Sequence, residues 1–95
     1  MNKKELVEAV ADEVNLPRKR VEDVISKTLE LIQVTTADGE SVRLMGFGTF
    51  SRVHRQARSG RNPKTGEALE IPEREEPKFS AGAVFKDTVR SVKRN

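Results

Sequence analysis

Between Arg52 and Gly66 a cation recurs at every third position, as Arg52, Arg55, Arg58, Arg61 and Lys64, and no carboxylate stands among them. A stretch charged in this way reads as a projecting hairpin and not as part of a core. Its residues supply the reversal: in Asn62-Pro63-Lys64-Thr65-Gly66, Pro63 presets φ and Gly66 is able to take a left-handed conformation. Ala68-Leu69-Glu70-Ile71 then starts the return strand. From Ser41 to Gly66 there are six Lys/Arg and no Asp/Glu, on a chain whose net charge is only +3. Charge concentrated on one projecting element is what gripping a polyanion requires, and the polyanion it suggests is nucleic acid.

The remaining charge is uneven. Residues 1–40 hold six Lys/Arg against nine Asp/Glu, residues 67–77 hold one Arg against five Glu, and residues 78–95 return to a basic excess. An acidic body with a basic arm and a basic tail orients a polyanion onto one side. Ninety-five residues suffice for one small domain, 1–95, but 35% hydrophobic content with four aromatics, all Phe, makes a thin core. Burial against a second copy is the usual remedy at this size, so the composition predicts a dimer. Without cysteine there is no disulfide framework, thiolate metal site or thiol nucleophile. No apolar run approaches the roughly 18 residues of a membrane span, and Met1-Asn2-Lys3-Lys4-Glu5 leads into a helix and not a signal peptide. The expectation is a soluble cytoplasmic protein.

Asn2 followed by Glu5 is a capping-box pattern. Leu6, Val10 and Val14, with Ala9 beside them, form the apolar side of a first helix ending near Asn15-Leu16, since Pro17 disfavours helical geometry before it. Pro17 suits the start of a second helix, in which Val21, Val24, Ile25, Thr28, Leu29 and Ile32 form the strongest periodic stripe of the chain. Two amphipathic helices over about 2–37 with so short a link form a helical hairpin. Asp38-Gly39 is a turn signal, and strand character begins at Val42. Phe47 and Phe50 fall on opposite faces by simple alternation, so Gly46 and Gly48 predict a bend or bulge between them. Strand resumes from Phe50 to about Gln56. Pro72 and Pro77 cannot donate ladder bonds and indicate edges or bulges in a ribbon open to solvent. After Ser80-Ala81-Gly82 a last helix, about 82–93, carries Val84, Phe85, Thr88, Val89 and Val92 on one face. The fold class is α+β: a helical hairpin, a three-stranded antiparallel sheet with a long β-ribbon arm over about 41–79, and a short C-terminal helix.

Gly46-Phe47-Gly48-Thr49-Phe50, Gly60-Arg61-Asn62-Pro63-Lys64-Thr65-Gly66, Ile71-Pro72 and Pro77-Lys78-Phe79 together resemble the bacterial HU/IHF family of DNA-bending proteins, HU in particular. The likeness runs from Met1-Asn2-Lys3 to the final helix. It implies an intertwined dimer with two β-arms that wrap the minor groove of double-stranded DNA, and a proline at each arm tip that wedges between base pairs. By that resemblance Pro63 is the wedge, and Arg55, Arg58, Arg61 and Asn62 line the groove-facing arm, with Arg52, Lys64, Arg74, Lys78, Lys86 and Lys3 as further DNA contacts. Phe47, Phe50, Phe79, Leu29, Ile32 and Leu44 belong to the dimer core. The role implied is histone-like and nucleoid-associated: bending and condensing DNA with little sequence specificity, as a homodimer, with nicked, gapped or bent forms preferred.

Physical chemistry supports these roles independently of the likeness. At about 3.3 Å per residue the chain from Phe50 to Asn62 can extend on the order of 40 Å. Two-stranded hairpins are marginal alone, so a free arm becomes ordered on its ligand. Arginine's planar fork engages phosphates and enters narrow minor grooves. Unstacking costs a few kcal/mol per step and is offset by the extra contact that bent DNA allows. Minor-groove edges separate little more than A·T from G·C. Arm cations on two chains predict a slope of log K against log[salt] of about −4 to −8.

Each feature has a plainer account. The Arg ladder as a solvated strand is disfavoured because such strands interleave acids. Pro63 is equally a turn former on local sequence alone. The Phe residues as base-stacking aromatics are less economical than as core. His54, without a second His or any Cys, is an arm residue near phosphate and not a metal ligand. Glu73, Glu75 and Glu76 pair with no nucleophile and read as a solvated run. No phosphate loop or catalytic triad is present, so no enzyme, cofactor or small-molecule substrate is expected.

Two departures from the family pattern stand out. Lysines common around the last helix are replaced by Ser80, Ala81 and Ala83, with Lys78 and Lys86 remaining, and the return strand carries the acidic Glu73-Arg74-Glu75-Glu76. Both predict weaker flanking contacts and a shorter DNA site, for which Arg90, Lys93 and Arg94 compensate in part or else form a frayed tail. A sequence-selective bender working with a different partner chain and an RNA-binding module are the competing functions.

Overall fold

Asn2 starts the first helix: its side-chain oxygen accepts from the Glu5 N–H at 2.8 Å, one half of the expected capping box. The computed structural model describes residues 1–92, so Lys93 and Arg94 lie outside the described residues, while the last helix, expected to about 93, ends at Arg90. Helix α1 spans Lys3–Val14 and ends at Asn15, whose left-handed φ of 56° lets its N–H reach the Ala11 carbonyl. Helix α2 spans Arg18–Ala37, and the Pro17 carbonyl accepts its first bond, from Val21 N–H at 3.2 Å. Pro17 thus stands just before the helix, where a missing donor is harmless. The end of α2 is a Schellman closure: Glu40 N–H bonds the Thr35 carbonyl and Gly39 N–H bonds that of Thr36, at 3.2 and 2.9 Å.

The chain gathers into two compact units, Met1–Val34 and the remainder from Thr35. In the first, Val7, Ala11 and Val21 are buried, with Val10 and Ile25 packed against them. The hairpin therefore closes on Val7 and Ala11, and of the Leu6–Val10–Val14 line that the spacing suggested only Val10 joins them. Small Ala11 permits close approach, while Leu6 and Val14 remain exposed on the edge of α1. The α2 stripe divides likewise. Val21 is buried and Ile25 and Ile32 are half-buried, but Val24 and Leu29 stay exposed, Leu29 by 45%.

In the second unit, β1 (Val42–Leu44) and β2 (Gly48–Arg55) form a hairpin that pairs Leu44 with Gly48 across Met45-Gly46-Phe47. The glycine pair thus makes a full reversal and not the bend expected, closed by Phe47 N–H on the Leu44 carbonyl at 3.0 Å. β3 (Arg58–Arg61) and β4 (Ala68–Ile71) form a separate two-stranded ribbon. β5 (Arg74–Ala81) returns beside β2, completing the sheet in the order β1-β2-β5, all antiparallel. Helix α3 spans Ala83–Arg90. Pro77 stands inside β5 opposite Arg52, tolerated because β5 is an edge strand. Pro72 falls where the ladder breaks, with Gln56-Ala57 opposite Pro72-Glu73 unpaired between the two sheets.

All four phenylalanines meet on the sheet. Phe79 lies between Phe50 and Phe47 at ring-centroid distances of 4.8 and 5.3 Å, and Phe85 of α3 stands 5.2 Å from Phe47. Such tilted pairs are favoured by ring quadrupoles. The cluster is open on one side, with Phe47 44% and Phe79 40% exposed, beside exposed Leu44, Val84 and Val89.

Candidate nucleic-acid interface

The ribbon's tip is built by its own side chains. Asn62 and Glu67 close the turn through Asn62 N–H on the Glu67 carbonyl at 2.8 Å, and Gly66 N–H bonds the Asn62 carbonyl at 2.7 Å. The Asn62 Oδ1 accepts from Lys64 N–H at 2.9 Å, arching the backbone over Pro63. Gly66 has φ of 72°, the left-handed geometry that a β-carbon disfavours. Pro63 is exposed at the apex, between Arg61 and Lys64.

Sequence spacing treats the five arm cations as equivalent, and the structure divides them. Among the described residues Arg58, Arg61 and Lys64 pair with no carboxylate, and the same holds for Lys78 and Lys86. Arg52 turns inward: one guanidinium N–H donates to the Ala37 carbonyl at the end of α2 at 2.9 Å, and Nε lies 3.3 Å from Glu75. A cation there also complements the negative end of the helix. Arg55 Nε lies 3.3 Å from Glu76, whose other oxygen accepts from Arg74. Lys3, in the first unit, donates to Ser26 Oγ at 2.7 Å. Phe47, Phe50 and Phe79 join one cluster, Leu44 begins the turn beside it, and Leu29 and Ile32 lie on α2.

The acidic stretch is the feature that sequence reasoning misjudged. Glu73 and Glu75 are exposed and Glu76 half-buried, and the three do not stand apart in solvent but form a cross-strand network. His54 stands between two of them, with Nδ1 2.6 Å from Glu75 and Nε2 3.3 Å from Glu73. The ring nitrogens face different carboxylates, so the three groups do not converge as metal ligands would. The signal was available: the β3–β4 register continues unslipped into β2–β5, so counting back from the tip sets His54 opposite Glu75. The hydrogen bond that the His54 ring donates to Glu75 raises the His54 pKa most, partial desolvation opposes it, and the charges of Glu75 and Glu73 add to the rise. Glu76 is lowered, first by its bond to Arg74 and then, against some desolvation, by Arg55.

A raised folded-state pKa means that the imidazolium stabilises the ribbon base fully below the unfolded value of about 6.5, and this is lost as pH rises through the folded value. Titration of His54 by NMR is expected to give a midpoint above that of a His peptide. Amide exchange at Val53 and Glu76 is expected to accelerate as pH passes that midpoint, after correction for intrinsic exchange. An unshifted midpoint, or the same acceleration in His54→Gln, contradicts the assignment.

Fold and ribbon together define a small α+β chain with three unpaired cations, Arg58, Arg61 and Lys64, on a hairpin with a proline apex. Residues 1–90 match the model of the family described as bacterial DNA-binding protein. The chain is 45% identical over 93 residues to a DNA-binding protein HU of Nostoc, covering 98% of this chain and 99% of that one. It is 43% identical over 90 residues to one of Staphylococcus aureus, covering 95% of this chain and all of the other. An Anabaena HU–DNA cocrystal structure superposes with a TM-score of 0.88 at 44% identity, covering 97% of this chain and 100% of that chain. HU from Thermotoga maritima gives 0.67 at 30% identity, covering 94% and 98%. The chain belongs to the family of bacterial DNA-binding proteins, the HU/IHF family that its arm motifs resemble.

Proposed function

We propose that this protein binds double-stranded DNA as a histone-like architectural homodimer, gripping the minor groove with its ribbon and bending the duplex at Pro63. The observation that carries this reading is the set of unpaired cations, Arg58, Arg61 and Lys64, on a ribbon whose apex exposes Pro63. The solved Anabaena relative, an HU–DNA cocrystal by description, supports DNA as the polyanion. Exposed Leu29 and half-buried Ile32 in the first unit, and exposed Leu44, Phe47 and Phe79 with half-buried Phe50 in the second, each supply apolar surface for a second copy to cover. Lys78, Lys86 and Lys3 add phosphate contacts, while Asn62 shapes the tip. Minor-groove contact gives little sequence preference, and nicked, gapped or bent DNA binds tighter because part of the deformation is already made. The role is structural and not enzymatic, and its place is the nucleoid. Among the described residues, no helix is long and apolar enough to cross a membrane.

The test is end-to-end energy transfer on a short doubly labelled duplex, intact and nicked. Transfer is expected to rise on binding, the nicked duplex to bind at least several-fold tighter, and Pro63→Ala to bind while bending less. Unchanged bending in Pro63→Ala makes the proline a turn former only; no rise for the parent removes the bending role.

A further inference from the structure

The inner and outer halves of the ribbon are built to opposite electrostatic plans. Beyond the Gln56-Ala57/Pro72-Glu73 interruption, the described cations are unpaired. Before it, each arginine on the ribbon has a carboxylate. Arg55 and Arg74 stand directly opposite each other in the ladder, an arrangement of like charges that is repulsive by itself. Glu76 relieves it, with one carboxylate oxygen on each guanidinium, Oε2 3.3 Å from Arg55 and Oε1 on Arg74. Arg55, Arg58, Arg74 and Glu76 line a groove of about 540 Å³ at the interruption. Two guanidiniums converging on a two-oxygen anion is the geometry by which arginine also holds phosphate.

We propose that Glu76 stands in for a DNA backbone phosphate, occupying Arg55 and Arg74 and thereby confining the DNA contact of the ribbon's arginines to its outer half. Resting on the function proposed above, it assigns the residue that sets how far down the arm the DNA is held. A phosphate reaching this groove must displace the carboxylate and meets its charge. Releasing Glu76 adds the inner pair to the interface. The bound site lengthens, and more counterions are released on binding.

The experiment compares the full chain with Glu76→Gln and Glu76→Ala, and with Glu70→Gln, which removes the same charge from the exposed outer ribbon. Affinity for a duplex, salt slope and footprint are recorded for each, with a thermal melt to verify folding. Glu76→Gln is expected to bind roughly tenfold tighter at 0.15 M salt, with a slope steeper by about 2 to 4 for the dimer. Its footprint is expected to lengthen. The gain should exceed that of Glu70→Gln and vanish when Arg55 and Arg74 are both changed to Gln. A gain equal to that of Glu70→Gln, or one that persists without the arginines, makes Glu76 a simple repulsive charge and overturns the proposal. No gain at all does so too. If the parent itself shows no affinity for duplex DNA, the proposed function fails first, and the two failures are distinguishable.

Discussion

Changing Arg58, Arg61 and Lys64 together to glutamine lowers affinity for duplex DNA at least on the order of a hundredfold at 0.15 M salt. Three unpaired cations per chain make six in a dimer, and each neutralised phosphate contributes about 0.9 to the salt slope. These six therefore contribute about −5 to the parent slope, and the triple variant loses that share while keeping what Lys3, Lys78 and Lys86 contribute. The fold is expected to survive, because these side chains lie on a two-stranded ribbon with no core role. The matched comparison changes Arg52, Arg55 and Arg74 to glutamine. These arginines are held by Ala37, Glu75 and Glu76, so the inner set should cost affinity much less and leave the slope near the parent's. A larger loss from the inner set, in titrations across several salt concentrations, contradicts the division of the ribbon.

Gly48→Ala is expected to destabilise the protein by about 2 kcal/mol or more, within the usual range for overpacking a tight site. Gly48 is buried opposite Ala81, directly beneath the Phe79 ring. A β-carbon there would lie 2.6 Å from two ring carbons of Phe79 and 2.6 Å from the backbone carbonyl oxygen of Ser80. The ring can turn aside only by disturbing Phe47 and Phe50, and the carbonyl belongs to the β5 backbone. Phe79→Leu in the same background should therefore fail to restore stability. Urea denaturation checks this, and a midpoint equal to the parent's removes the claim that Gly48 is fixed by close approach. DNA affinity, measured below the melting temperature, is expected to change little, because the arm is untouched.

The elements that sequence reasoning located are those governed by local chemistry. Asn2, Asn15, Asp38-Gly39 and Asn62-Pro63-Lys64-Thr65-Gly66 end or reverse the chain through bonds reaching only a few residues, so their effect is readable in place. The element order and the basic ribbon follow from those punctuations and from apolar spacing. Which face of a helix is used was less legible. Leu6, Val10 and Val14 satisfy helical spacing, but Val7 and Ala11 satisfy the approach of α2, and periodicity does not rank two adjacent stripes. Gly46 and Gly48 announced a departure from regular strand, and only pairing showed a complete reversal.

The sequence by itself determined that this chain has two amphipathic helices, a sheet, and a basic hairpin tipped by proline, because charge density, turn chemistry and periodicity are short-range properties. Only the tertiary structure decided which arginines remain free. The carboxylates that pair with Arg52, Arg55 and His54 lie about twenty residues along the chain and meet them through strand register. An ion pair depends on distance in space, so a run of glutamates that looked solvated in sequence became the group that neutralises half of the arm.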